Sequence, residues 1–112
     1  MSTAIVYRGG VRAAEARQRV VEMGVDLGAG EFCRQQLATM ERRDCRDLLP
    51  AIRLPVRVLC GARDVITPIE ANRYIADHVR GAALEIVENA GHLLPLERPG
   101  RVTTFLREWL AC

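Results

Sequence analysis

The chain has 112 residues, is 49% hydrophobic and 27% charged, and carries a formal net charge of +2 from 16 basic and 14 acidic residues. That leaves room for one domain at most, near the low end of what builds a self-sufficient core, with too much apolar content for a disordered chain. Every basic residue is arginine, interleaved with acids as in Glu41-Arg42-Arg43-Asp44-Cys45-Arg46-Asp47, where a nucleic-acid binder would gather a basic stripe.

Residues 1–50 are rich in helix formers and reach their first proline only at Pro50. A short strand is expected at Ala4–Tyr7. Helices are expected over Ala13–Met23 and over Glu31 to about Arg43, with the glycine-punctuated stretch from Gly24 to Gly30 as the loop between them. In the second helix Phe32, Gln36, Leu37 and Met40 share one face, the signature of a one-sided surface helix.

Residues 51–112 alternate in type. The β-branched, mostly apolar run Val56–Cys60 reads as a strand ended by Gly61. Pro68 opens a helix to about Val79, since a proline in the first turn forfeits only an N–H that is unpaired there anyway, and Gly81 stops it. Leu84–Val87 reads as a second strand, ended by Asn89-Ala90-Gly91. From Pro99 the apolar positions Val102, Phe105, Leu106, Trp109 and Leu110 follow i, i+3, i+4, i+7, i+8, one broad face of a final helix. Strand, helix, strand, helix implies parallel strands joined by a crossover.

Four cysteines (Cys33, Cys45, Cys60 and Cys112) form no C-x-x-C pair and fit no zinc or redox spacing. Free thiols are expected, with Cys60 a small buried hydrophobe in its apolar run. No metal or organic cofactor is implied. No stretch is long and apolar enough for a membrane span, and the opening MSTAIVYRGG lacks the apolar core of a secretory signal. The expectation is a cytoplasmic protein with no membrane or nucleic-acid partner.

Reactive groups in open α/β sheets collect at the C-terminal ends of parallel strands. Two residues take that place here: Asp64 after the first strand and His92 after the second. Adjacent strands lie roughly 5 Å apart, so loops leaving the same ends can bring a carboxylate to an imidazole. Such a pair makes a general base, because the carboxylate fixes the tautomer and stabilises the imidazolium. Each residue also has a plainer reading. Asp64 stands where a turn former or helix cap belongs, ahead of Thr67-Pro68, and a Gly-His loop often carries only a surface histidine.

The stretch Leu54-Pro55-Val56-Arg57-Val58-Leu59-Cys60-Gly61-Ala62-Arg63-Asp64, then Thr67-Pro68, resembles the penultimate-strand region of α/β-hydrolases. Ala90-Gly91-His92, with Glu97-Arg98-Pro99 and the helix ending Phe105-Leu106-Arg107-Glu108-Trp109-Leu110, resembles that family's last strand, histidine loop and closing helix. The resemblance implies a partial α/β-hydrolase fold: two parallel strands with flanking helices, preceded by cap-like helices. Residues 1–50 would be the end of a cap and residues 51–112 the C-terminal α/β segment of the core. It also implies Asp64 as the acid and His92 as the base of a catalytic triad.

The chain departs from that family in one decisive respect. The family places a nucleophile in a G-x-S-x-G elbow upstream of the cap, and no such elbow is present; the one serine is Ser2. Cys60 has Val58 and Ala62 where the elbow glycines belong. The expected function is therefore the C-terminal portion of a hydrolase of esters, lactones or related bonds, inactive alone. A small-molecule substrate would be bound only with an upstream half in place. The alternative is a non-catalytic interaction or dimerisation protein built on a hydrolase end. Either way an open strand edge and an uncovered helix face call for a homo-oligomer or a complementing chain.

Overall fold

The structure, a computed structural model, describes residues 5–111. Two helices come first, α1 (Ala13–Leu27) and α2 (Ala29–Met40), then a 3₁₀ segment over Arg46–Ala51. The α/β half follows as β1 (Arg57–Gly61), α3 (Ile69–His78), β2 (Ala83–Val87), the short α4 (Leu94–Glu97) and α5 (Pro99–Leu110).

The strands pair in parallel, Arg57 with Ala83 through Gly61 with Val87, as the alternation of strand and helix requires. Side chains alternate across the sheet. Leu59 joins Val87, Ala90 and Leu94 in a cluster closed by Val102 of α5. Cys60, on the opposite face, meets Asn72 of α3, whose Nδ2 lies 3.2 Å from its sulfur. The small sheet thus has α3 on one side and α5 on the other. Across the α5 side the Arg57 guanidinium sits 4.5 Å from the Phe105 ring centroid and pairs with Glu85 and Glu108 at 3.3 and 3.4 Å.

A second apolar cluster lies at the N-terminal end: Val6, Ala13, Ala16 and Val20, with Ile5, Leu93 and Leu96 against it. It fastens α1 to the loop carrying His92.

Several sequence expectations need correction. Ile5–Tyr7 do not form a strand, and Ala4 lies outside the described residues. The backbone there is spent on the His92 loop: Ile5 accepts from the His92 N–H at 2.8 Å, and the Tyr7 N–H donates to Glu97 at 2.9 Å. The expected loop from Gly24 to Gly30 shrinks to one residue. Gly24–Leu27 continue α1, and Gly28, at φ +78°, ends α1 and starts α2. One left-handed glycine turns the chain, while Gly24 is tolerated mid-helix at a cost of about 1 kcal/mol. The second helix stops at Met40 rather than Arg43, and it buries none of its residues. In α5 Phe105 is buried, whereas Leu106 and Leu110 remain exposed, so only part of the apolar face is covered.

Candidate active site

The site begins with two glycines at the strand ends. A Cβ on Gly61 would collide with the Gly91 carbonyl oxygen and stand 2.6 Å from that of Ala90, and one on Gly91 would stand 2.8 Å from the Ile5 carbonyl oxygen. Without side chains the two loops close up. Beyond β1 the pairing continues, with the Ala62 N–H donating to Val87 and the Arg63 N–H to Ala90, both at 2.9 Å.

That pairing delivers Asp64 to His92. Oδ2 of Asp64 lies 2.9 Å from His92 Nδ1, with the Asp64 side chain 6% and the His92 side chain 34% exposed. The remaining acceptors are also used: Oδ1 takes the N–H groups of Ile66 and Thr67, and Oδ2 takes the Thr67 hydroxyl, each at 2.9 Å. Asp64 is therefore a turn former and a histidine partner at once. Burial is the largest single influence on its carboxyl and pushes the pKa up. The hydrogen bonds from His92, Thr67 and Ile66 together outweigh it, and the net pKa lies below the ordinary 3.8. At neutral pH Asp64 is an acceptor only, so the proton of the Asp64–His92 bond sits on Nδ1, and Nε2 is the ring nitrogen left for a reacting group.

Thr67, just ahead of the Pro68 that caps α3, also belongs to the site. Its hydroxyl donates to Asp64 and lies 3.3 Å from His92 Nδ1, touching both members of the pair. Asn72 secures the turn from behind, its Nδ2 donating to the carbonyls of Thr67 at 2.8 Å and Pro68 at 3.2 Å. The signal was present as a Thr-Pro helix start three residues after an aspartate.

Two open clefts are lined in part by residues of these loops, and the first of them includes a member of the pair. One, about 560 Å³, runs between Val6–Arg8 and Ala62–Val65 with Asp64 in its wall. The other, about 630 Å³, is mainly apolar, with Ile5, Val20, Met23, Leu27, Phe32 and Leu93 in its lining; Leu93 directly follows His92. Leu94 instead belongs to the core.

Cys60 is no substitute nucleophile. Its side chain is buried, and burial, reinforced by the charges of Asp64 and Glu70, pushes the thiol pKa up, the reverse of what thiolate chemistry needs. Ser2 lies outside the described residues. Among the described residues no three His, Cys, Asp or Glu side chains cluster as metal ligands, and no helix is long and apolar enough to cross a membrane.

No protein-family model matches the chain. Individual relatives do. The chain is similar to the pimeloyl-[acyl-carrier protein] methyl ester esterase of Neisseria meningitidis serogroup C, 35% identical over 65 residues, which are 58% of this chain and 25% of that protein. It is similar to the solved structure of a thermophilic esterase from Thermogutta terrifontis, 44% identical with a TM-score of 0.61, over 63% of this chain and 26% of the other. An esterase from Exiguobacterium antarcticum shares its fold, with a TM-score of 0.75 at 23% identity over 88% of this chain and 37% of the other. The chain spans about a quarter of the length of the curated relatives it matches.

Proposed function

We propose that this chain, whose C-terminal segment belongs to the α/β-hydrolase superfamily, supplies the acid and the histidine of a nucleophile–Asp–His triad that cleaves an ester or related bond. The observation that carries this is the 2.9 Å hydrogen bond between Asp64 and His92, reached from the same ends of two parallel strands. In the proposed reaction His92 Nε2 takes the proton of an attacking hydroxyl while Asp64 stabilises the imidazolium. Nε2 then hands that proton to the departing alcohol, and the same sequence with water frees the acyl group. The nucleophile and the oxyanion donors come from residues other than 5–111, in a complementing upstream part of such an enzyme.

Surface area supports a missing partner. A folded monomer of 12.5 kDa exposes about 6,200 Å², whereas this chain exposes 7997 Å². The excess of roughly 1,800 Å² on one chain is more than the roughly 800 Å² per partner of a standard interface and is on the scale of an obligate one. Among the described residues the sheet has two strands, so there the edge of β1 away from β2 has no strand neighbour and can accept one. The same area favours a second reading, a self-associating unit without catalysis. Sedimentation separates the two: a defined homodimer with that edge buried favours the second, and a monomer argues against it.

The decisive experiment is a chimera in which this chain replaces the segment of the Thermogutta terrifontis esterase that it matches. We expect turnover of p-nitrophenyl butyrate that is abolished by His92→Ala. The chain alone should give no hydrolysis above its own His92→Ala control, since a base without a hydroxyl or oxyanion donors has nothing to activate. A folded chimera without activity would overturn the proposal. So would turnover by the isolated chain that is lost on His92→Ala and kept on Ser2→Ala, which would mean that the pair activates water directly.

A further inference from the structure

Glu97 is a buried charged residue, 3% exposed at the end of α4. A carboxylate out of water is destabilising unless donors meet its oxygens. Here the donors are main-chain amides. Oε1 accepts from the Gly91 N–H at 2.8 Å and the Tyr7 N–H at 2.9 Å, and Oε2 accepts from the Leu93 N–H at 3.0 Å. Gly91 and Leu93 flank His92, whose own N–H donates to the Ile5 carbonyl at 2.8 Å. Three consecutive amides around the histidine are therefore held, by Glu97, Ile5 and Glu97 in turn.

We infer that Glu97 is a positioning residue for His92, one that fixes the histidine backbone for its bond to Asp64 and makes Ile5–Tyr7 a structural part of the site. The inference rests on reading Asp64 and His92 as triad members, and it goes beyond that reading in naming what sets their geometry. With the backbone of His92 clamped on both sides, only its two side-chain torsions remain free, and the bond to Asp64 sets those. The chemistry of the clamp requires a carboxylate. An ionised carboxylate offers four acceptor sites and no donor, which suits three converging N–H groups. An apolar side chain would fill the same space without burying a charge, but would leave those amides unpaired. A glutamine would keep the shape while turning an NH₂ group toward at least one N–H donor.

The test is Glu97→Gln, read by NMR on histidine-labelled protein. His78, stacked on Tyr74 at 3.8 Å between ring centroids, serves as an internal control for folding. In the wild type the Nδ1–H of His92, held by Asp64, should give a slowly exchanging downfield proton signal. Glu97→Gln should abolish it and leave the His78 ring signals where they were. In the esterase chimera the same change should lower kcat about 100-fold, the scale of a misplaced reacting group, with KM little altered. A folded Glu97→Gln protein with an unchanged His92 signal would overturn the inference. Should the variant unfold, with the His78 signals collapsing too, amide exchange in the wild type decides. The Tyr7, Gly91 and Leu93 amides should exchange as slowly as those within β1 and β2, and free exchange at any of the three would overturn the clamp. The proton signal does not depend on turnover, so loss of the signal in a chimera that is inactive regardless would sink the catalytic reading and leave the positioning role standing.

Discussion

The loops at Asp64 and His92 and the helix α2 are held in opposite ways. In the loops both Asp64 oxygens, the Thr67 hydroxyl, and the amides of Gly91, His92 and Leu93 all have partners within the chain. On α2, by contrast, nothing is buried, and Leu37 and Met40 are 58% and 80% exposed. The polar site is finished while an apolar surface stays open. The difference teaches that the Asp–His geometry is locally determined: it needs two short strands, two glycines, the Glu97 clamp and Ile5–Tyr7. What the chain lacks is apolar coverage, and apolar coverage is non-directional and can come from another polypeptide.

The sharpest way to break this comparison is to damage the polar region without touching its packing. Asp64→Asn in the esterase chimera should lower kcat by about 10⁴, because an amide favours the wrong imidazole tautomer. The turn should survive, since the amide oxygen can still accept from Ile66 and Thr67. Steady-state kinetics on p-nitrophenyl butyrate, with circular dichroism to check the fold, measures both. A loss of less than tenfold would mean that Asp64 serves the turn alone.

Next in size is the contact between the loops. Gly61→Ala drives a methyl group into the carbonyls of Gly91 and Ala90, backbone atoms that cannot swing aside, and should cost about 3 kcal/mol in urea unfolding. Gly100→Ala is its control. A Cβ there meets nothing within 4 Å, and in the first turn of α5 the change should be neutral or stabilising by up to about 1 kcal/mol. Equal effects at the two positions would refute a close approach at Gly61.

A smaller effect concerns acid. The Asp64 carboxyl has a folded pKa below 3.8, so its ionised form is favoured by folding. Its contribution is complete above the unfolded value, near 3.9, and is lost as pH falls through the folded one. The stability gap between wild type and Asp64→Asn should therefore shrink as pH falls below about 4. Urea midpoints between about pH 4.5 and pH 2.5 check this; a gap that widens across that window would reverse the sign of the linkage.

Much of this was legible in the sequence, for physical reasons that differ by region. The strands and α3 were readable because β-branched runs, Pro68 and Gly81 act locally. The Asp64–His92 pair was readable because topology alone carries two strand ends together. Ile5–Tyr7 were misread as a strand because their partners, Glu97 and His92, lie far along the chain, and no local pattern reports a contact at that separation. The run from Gly24 to Gly30 misled because glycines signal turns on average, while here i→i+4 bonding continues through Gly24 and only Gly28 leaves the helix. Glu97 was quoted in a motif, yet nothing in its neighbours says that it is buried with three amides on it. Thr67 was hidden in the same way, read as part of a helix start.

The smallest expected effect sharpens the other side of the comparison. Leu37→Gln and Met40→Gln change side chains that are mostly in water, so each should alter the stability of the isolated chain by less than about 0.5 kcal/mol. Their consequence should appear in association instead. If the apolar face of α2 is part of the surface that a partner covers, the double variant should stay monomeric at concentrations where the wild type self-associates, as read by analytical ultracentrifugation. The Asp64–His92 proton signal should be the same in both, because no bond in the polar region reaches α2. A double variant that loses that signal would show the two regions to be coupled, and the locality argued for the site would be wrong.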